Sequence, residues 1–197
     1  MGEAALSDLL ERLDRAGGRG RDVSLGHVLG RSGARAHGAA ILLLALPEAL
    51  PIPVPSLSAV LGVPLVLVSA HLALHGEGGT LPRRLLRSKV PGRVLGALSR
   101  RIAGPVRRAE RISRPRLAAL VARERPLGLL CLALSCVLLL PIPFLNAAPA
   151  AALVLIAWGL VQRDGAFVAA GLGASAATAA LLLVMVEAAL GLLPGAG

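Results

Sequence analysis

The chain has 197 residues, of which 55% are hydrophobic, and its mean hydropathy is +0.74. This composition excludes an ordinary soluble domain and predicts a single membrane domain over residues 1–197. The formal net charge is +10, while aromatic residues make up only 2% of the chain, so the usual aromatic belt at the membrane interface is not expected.

Residues 1–37 are polar and form the first predicted element, an amphipathic N-terminal segment. Because the first apolar run begins only after this segment, no signal peptide is expected. Ser7 and the leucines that follow it at helical spacing predict a capped amphipathic helix. Val23 and Ser24 predict a hydrophobic staple and an N-cap for a second short helix that ends at Leu29.

Two apolar stretches, residues 38–75 and 127–162, each contain the sequence Leu-Pro-Ile-Pro, and the two copies lie 90 positions apart. Proline removes a backbone donor and clashes with the preceding turn, so each copy breaks a helix. The helix-breaking residues are Pro51, Pro53, Pro141 and Pro143. In both stretches a limb too short to cross the hydrocarbon core precedes the break, and a longer limb follows it.

Breaks at membrane depth persist only where protein or a water-filled cavity supplies partners for the freed backbone groups. Matched breaks are typical of internally repeated transporters. The pattern therefore predicts two Pro-broken, re-entrant helical hairpins that face each other as an internal repeat, parallel or inverted. The alternative is a pair of unrelated proline kinks in a chain rich in leucine and proline.

Residues 76–126, between the two stretches, hold 14 basic residues and three acids, so this connector carries a net charge of +11. Apolar residues recur in it at helical spacing, which predicts basic amphipathic helices on an anionic leaflet. The positive-inside tendency places this connector and the N-terminus in the cytoplasm of a bacterial inner-membrane, multi-pass protein. Nucleic acid is not an expected partner, because stacking aromatics are lacking. Residues 163–197 predict a C-terminal transmembrane helix, whose C-terminus can lie on either side of the membrane.

Five polar residues in or beside the apolar segments are candidates for binding substrate or ions. Glu48 lies in an apolar run, where an ionisable group is functional by default, unless it is hydrated at the interface. Asn146 follows the second break and can satisfy freed backbone groups or bind a polar headgroup or sugar. Arg163 and Asp164 suit either a solvated surface turn or an ion pair that contacts phosphate at the membrane edge. Glu187 can face the bundle if the last helix spans the membrane.

No arrangement of nucleophile and base is recognisable, so an enzyme is not expected, and neither a metal site nor a cofactor is predicted. His71 is interpreted as an interfacial or packed histidine, with titration near neutral pH as the alternative. Cys131 and Cys136 are interpreted as small core residues and not as a disulfide or metal pair.

A resemblance to a known family covers most of the chain, from about Leu6 to about Leu190. It is carried by these residues in order: Ala45-Leu46-Pro47, Pro51-Ile52-Pro53, Glu110-Arg111, Arg114-Pro115-Arg116-Leu117, Leu140-Pro141-Ile142-Pro143-Phe144, Asn146, Pro149, Gly159-Leu160 and Asp164-Gly165. In this pattern the chain resembles the bacterial exopolysaccharide synthesis protein ExoD family. The resemblance implies an inner-membrane protein associated with exopolysaccharide production in proteobacteria, without an established set of catalytic residues. Glu48 departs from the Asn that many relatives have beside the first break.

A second, local resemblance involves Glu48 and the proline-rich residues 51–56, which look like the acidic re-entrant motif of DedA and other VTT-domain membrane proteins. Together these features predict transport or scrambling of a lipid-linked or amphiphilic substrate, with or without a coupled ion. The alternative is a non-transporting scaffold for a polysaccharide synthase, docked through the connector. Membrane lipids, polysaccharide synthesis proteins and further copies of the chain are the expected partners.

Overall fold

The structure is a computed structural model, and it describes residues 22–29, 35–49, 57–90, 101, 104–106, 108–140 and 146–191. The four prolines of the predicted breaks and the helix predicted after Ser7 lie outside the described residues. The helices are α1 (Leu25–Leu29), α2 (Ala36–Ala49), α3 (Leu57–His75), α4 (Arg83–Leu86), α5 (Ala118–Val121), α6 (Glu124–Leu138), α7 (Ala147–Gln162) and α8 (Gly165–Gly191). Residues 101, 104–106 and 108–112 are also helical. Two short antiparallel strands, β1 (Val23–Ser24) and β2 (Lys89–Val90), complete the described elements.

The predicted all-α character is confirmed, and the apolar runs of the sequence coincide with the long helices. The predicted N-cap is also confirmed, because α1 begins directly after Ser24, whose Oγ accepts a hydrogen bond from the His27 amide at 3.3 Å. The described part of the connector holds the four-residue helices α4 and α5, the strand β2 and the helical residues 101, 104–106 and 108–112. Residues 91–100, 102–103 and 107 lie outside the described residues, so the amphipathic helices expected there stay a prediction.

Four helices, α2, α3, α6 and α7, form a closed ring in which each helix packs against its two neighbours. The ring runs up, down, up and down along the chain, as in an antiparallel four-helix bundle. The N-terminus of α2 meets the C-terminus of α7, since Gly38 lies against Val161. The N-terminal half of α3 meets the C-terminus of α6, since Gly62 lies against Leu139. We call the helix pairs α2–α3 and α6–α7 the two hairpins. Both hairpins therefore start and finish at the same end of the ring.

The hairpins pack chiefly on each other and less on themselves. The closest helix pairs within the ring are α3 with α6 and α2 with α7, each of which joins the short limb of one hairpin to the long limb of the other. Small residues permit the close approach of these helices. A Cβ added to Gly128 in α6 would lie 2.7 Å from the Cα of Ala73 in α3. A Cβ added to Gly38 in α2 would lie 3.1 Å from a methyl group of Val161 in α7.

Helix α8 packs on the outer side of α7 and is much longer than the helices of the ring. Within the described residues it is the one helix that is long and apolar enough to cross a membrane, with a mean hydropathy of 2.0 over Gly165–Ala189. At 1.5 Å per residue its 27 residues extend about 40 Å. Gly159 and Gly171 bring α7 and α8 together, because an added Cβ on either would overlap the opposite helix.

Candidate functional site

Glu77 links the two hairpins at the end of the ring where both of them begin and finish. The Glu77 side chain accepts hydrogen bonds from the amides of His37 (3.2 Å) and Gly38 (2.7 Å), so it caps the N-terminus of α2. Its backbone amide donates to the Glu124 carboxylate at 2.9 Å, in the first turn of α6. A carboxylate suits a helix N-terminus, where backbone donors have no partners within the helix. We call this end of the ring, which holds Glu77, His37 and Glu124, the polar end.

Three histidines stack beside Glu77. His37 is fully buried at the start of α2, and its Nε2 lies 2.8 Å from Nδ1 of His71 in α3. The other ring nitrogen of His37, Nδ1, lies 3.6 Å from Glu77 Oε2. The rings of His71 and His75 stack with their centroids 4.2 Å apart, and His75 is exposed. The stack thus connects the protein surface to a buried carboxylate.

A cleft of about 400 Å³ opens beside this stack. It is lined by His75, Gly76, Gly78, Ala122, Arg123, Glu124, Arg125 and Pro126. Both arginines are exposed, whereas Glu124 is half-buried and engaged with the Glu77 amide. The cleft therefore gives the polar end a basic, water-accessible mouth.

The turn between α7 and α8 carries a second buried acid. Asp164 is fully buried and accepts hydrogen bonds from the Arg114 amide (3.0 Å), Arg116 Nε (3.1 Å), the Ala166 amide (3.0 Å) and the Ser113 hydroxyl (3.3 Å). Burial acts to raise the pKa of Asp164, but these hydrogen bonds and the Arg116 charge outweigh it and hold the pKa below its ordinary value. Asp164 thereby fastens the connector to the start of α8.

The long limbs of the two hairpins end in the same way. Helix α3 is followed by Gly76 in the left-handed region (φ +70°) and then by Glu77, whose side chain is 8% exposed. Helix α7 is followed by Arg163, also left-handed (φ +53°), and then by Asp164. A left-handed residue is a frequent helix terminator because its amide can bond to the last carbonyl groups. Each long limb is thus followed, two residues later, by an acid that ties neighbouring elements.

The predicted site residues divide between the two ends of the ring. Glu48 is half-buried in the last turn of α2, and Asn146 precedes α7 at that same end, opposite the polar end. The Asn146 side chain makes no capping hydrogen bond to α7. Arg163 and Asp164 lie beyond the C-terminus of α7, at the polar end. Glu187 is exposed near the end of α8 and does not face the ring.

The interpretation of Arg163 and Asp164 as a solvated pair is wrong for the acid. Arg163 is exposed, but the fully buried Asp164 pairs with Arg116, 48 positions earlier. The left-handed backbone at Arg163 ends α7, and the Arg163 side chain is exposed. The interpretation of both cysteines as core residues holds for Cys131, which is buried, but not for Cys136, which is exposed.

Sequence reasoning missed His37 as the partner of His71 and Glu77 as the partner of His37. One local signal was available, since His71 and His75 are four residues apart and share one helix face. His37 and Glu77 come from 34 positions before and six after His71, and only the packing of the hairpin brings them together. The chemistry available here is proton binding and transfer between imidazoles and a carboxylate. Among the described residues, no three His, Cys, Asp or Glu side chains are placed to hold a metal ion.

Comparisons with known proteins identify the family of this chain. A family model described as "Exopolysaccharide synthesis, ExoD" matches residues 6–184. The Protein ExoD of Rhizobium meliloti (strain 1021) is 31% identical over 175 residues, which cover 86% of this chain and 72% of that protein. The uncharacterized protein slr1875 of Synechocystis sp. is 31% identical over 163 residues, which cover 78% of this chain and 74% of that protein. No solved structure matches the chain. The chain therefore belongs to the ExoD family, which is linked to exopolysaccharide synthesis.

Proposed function

We propose that this protein is a multi-pass carrier of the bacterial inner membrane, which moves a lipid-linked or otherwise amphiphilic substrate in support of exopolysaccharide synthesis. The observation that carries the proposal is how the two hairpins pack on each other. The short limb α2 packs on the long limb α7, and the short limb α6 packs on the long limb α3, as expected of two repeats around a common axis.

Matched positions support the internal repeat. Gly38 and Gly128 are 90 positions apart, the same interval that separates the two Leu-Pro-Ile-Pro copies. Gly38 lies against the last turn of α7, and Gly128 lies against the last turn of α3. Both hairpins begin and finish at the polar end, so the proposed repeat is parallel, with its axis along the helices.

Apolar side chains on the outer faces of the helices support a membrane location. On α3, Val63, Leu67 and Leu74 are at least half-exposed, and on α6 Leu129 is 63% exposed. The second half of α8 presents a further run of exposed apolar side chains over residues 181–186. A soluble bundle would present polar side chains on these faces, whereas hydrocarbon accommodates leucine and valine without cost. Exposed arginines at the polar end favour the cytoplasmic side for that end.

The lengths of the limbs support a polar site at membrane depth. Helix α2 has 14 residues and α6 has 15, so each extends only about 21–23 Å from the polar end. The hydrocarbon core is about 30 Å thick, so both short limbs end inside it. Glu48 lies in the last turn of α2, at the depth where a carboxylate is costly without a function. We propose Glu48 and Asn146 as the groups that contact the polar part of the substrate.

The test is translocation in proteoliposomes. A labelled undecaprenyl-type glycolipid and a plain phospholipid are followed with the wild-type chain and with Glu48→Gln. Glu187→Gln is the matched control, because it makes the same change at an exposed position on α8. Glycolipid movement that requires Glu48 and survives Glu187→Gln would support the carrier. Movement of both lipids would instead identify a scramblase.

No movement of either lipid by folded protein would refute the carrier. The alternative would then be a scaffold docked through the basic connector. In that case neutralising the exposed Arg108 and Arg111 should abolish recovery of a polysaccharide synthase, while changes at Glu48 should not.

A further inference from the structure

Three of the four histidines of the chain form a stack that becomes more buried from one ring to the next. His75 is exposed, His71 is half-buried and His37 is fully buried. A direct contact of 2.8 Å joins the rings of His71 and His37, and the far nitrogen of His37 lies 3.6 Å from Glu77. Such a chain of groups can accept a proton at the surface and stabilise it next to a buried negative charge.

We propose that Glu77, His37 and His71 form a binding site for one proton, and that this proton is the ion coupled to substrate movement. The coupling rests on the proposed carrier function, whereas proton binding itself does not. The family match assigns no role to these three residues.

The positions of the ring nitrogens define two states that differ by one proton. In the first, His37 Nδ1–H points to the Glu77 carboxylate, and His37 Nε2 accepts from Nδ1–H of a neutral His71. In the second, a proton has bound to Nε2 of His71, and the proton on His71 Nδ1 has moved to His37 Nε2. His37 is then an imidazolium next to the Glu77 carboxylate, and His71 is again neutral. One proton enters and one moves between the rings, so the 2.8 Å contact between His37 Nε2 and His71 Nδ1 is a hydrogen bond in both states, and His37 Nδ1–H faces the Glu77 carboxylate at 3.6 Å.

Other charged and titratable groups surround the row formed by His71, His37 and Glu77 without lying between its members. His75 of α3 stacks on the outer face of His71, and α6 contributes the buried Cys131 thiol on the side of Glu77. Arg35, which precedes α2, donates from Nη1 to the Val161 carbonyl of α7 at 2.7 Å. From the start of α6, Glu124 accepts from the Glu77 amide. The exposed Arg123 and Arg125 line the cleft beside His75.

The proposed site lies where a change of charge can act on both hairpins. The Glu77 carboxylate holds two amides in the first turn of α2, those of His37 and Gly38, and the Glu77 backbone is held by Glu124 of α6. A proton on His37 neutralises the charge of Glu77 locally and so weakens its attraction to the α2 amides. The position of α2 relative to α6 therefore depends on the proton, as a coupled carrier requires.

Proton binding is tested first, without substrate. The four imidazoles of the full chain in lipid nanodiscs are labelled with ¹⁵N and titrated by NMR. We expect the His37 and His71 signals to move together in one step that takes up one proton in total. His71→Asn should abolish this shared step, and His27→Asn, at an exposed position on α1, should leave it unchanged.

Two results would overturn the proton site. One is independent titration of His37 and His71 as isolated imidazoles in the wild-type chain, which is decisive even if His71→Asn does not fold. The other is an unchanged His37 titration in a folded His71→Asn chain, with folding checked by circular dichroism and gel filtration.

The coupling is tested by glycolipid movement under a pH gradient. We expect the gradient to accelerate movement at least several-fold in the wild type and not in His71→Asn. Movement that keeps its full response to the gradient in His71→Asn would overturn the coupling but not the carrier. A shared titration step without any glycolipid movement would refute the carrier and leave the proton site in place.

Discussion

A single methyl group on α6 should test the contact between the hairpins. Gly128 lies so close to α3 that an added Cβ would lie 2.7 Å from the Cα of Ala73 and would overlap its backbone nitrogen. Backbone atoms cannot rotate away as a side chain can, so Gly128→Ala must push α6 and α3 apart. Gly173 in α8 offers a matched control, because an added Cβ there would meet no heavy atom within 4 Å.

The control isolates the cost of the overlap. Replacing glycine by alanine inside a helix stabilises it by about 0.5–1 kcal/mol, and this gain is common to both variants. Overpacking of a close contact costs about 1–3 kcal/mol. Gly173→Ala should therefore raise the free energy of unfolding by about 0.5–1 kcal/mol, and Gly128→Ala should fall below it by about 1–3 kcal/mol. Gly38→Ala should lie between the two, since its nearest neighbours are 2.9–3.2 Å away.

The measurement is reversible unfolding in mixed micelles with increasing SDS, followed by circular dichroism and by fluorescence of Trp158. This tryptophan is the single one in the chain and is buried in α7, so its emission reports the packing of the ring. The order Gly173→Ala, Gly38→Ala, Gly128→Ala, from most to least stable, would support the described contacts. Equal stability of Gly128→Ala and Gly173→Ala would refute the close packing of α3 on α6.

Three further predictions concern single side chains. Asp164→Asn should lower the free energy of unfolding by about 1–3 kcal/mol at pH 7 through its hydrogen bonds to Arg116 and the connector. The folded-state pKa of Asp164 lies below its ordinary 3.8, so the wild type should lose this stabilisation as the pH falls from about 5 through the folded pKa. The variant should show no such loss. Measurements of unfolding between pH 7 and 3 check both expectations. Arg163→Gly should stabilise the chain by up to about 1 kcal/mol in the same unfolding assay, because glycine adopts a left-handed backbone (φ +53°) without strain; a loss of stability would contradict this. In intact vesicles the exposed Cys136 should react with a lipid-soluble maleimide faster than the buried Cys131 does. Cys136 should react slowly with a charged maleimide, and rapid reaction with that reagent would refute a lipid-facing α6.

Sequence patterns predicted the helices well, because long apolar runs and capping residues act locally. The start of α1 after Ser24 needed only its hydroxyl, and α8 needed only an apolar run longer than the others. The packing of each short limb on the long limb of the other hairpin was not predictable in detail, because most of the long helices are apolar on all sides. A helix that is apolar all round does not indicate which of its faces will meet which neighbour.

The histidine stack and the Asp164 site were missed for a related reason. Each is held together by residues far apart in the chain, and neighbouring charges gave a misleading signal. Arg163 is next to Asp164 in sequence, yet the partner of that buried acid is Arg116. Glu77 was counted as one of three acids in a basic connector, yet its position next to the left-handed Gly76 turns it back onto the start of α2.

The two ends of α2 hold the two groups that the proposed mechanism needs, and their separation limits how they can communicate. His37 and Glu48 are 11 residues apart on one helix, which places them about 16 Å from each other. At that distance charges interact weakly unless the medium between them is dry and rigid. Helix α2 meets both conditions, because its residues from His37 to Ala45 are nearly all buried. A change of charge at the polar end can therefore act on Glu48 through a rigid-body shift of α2 against α7.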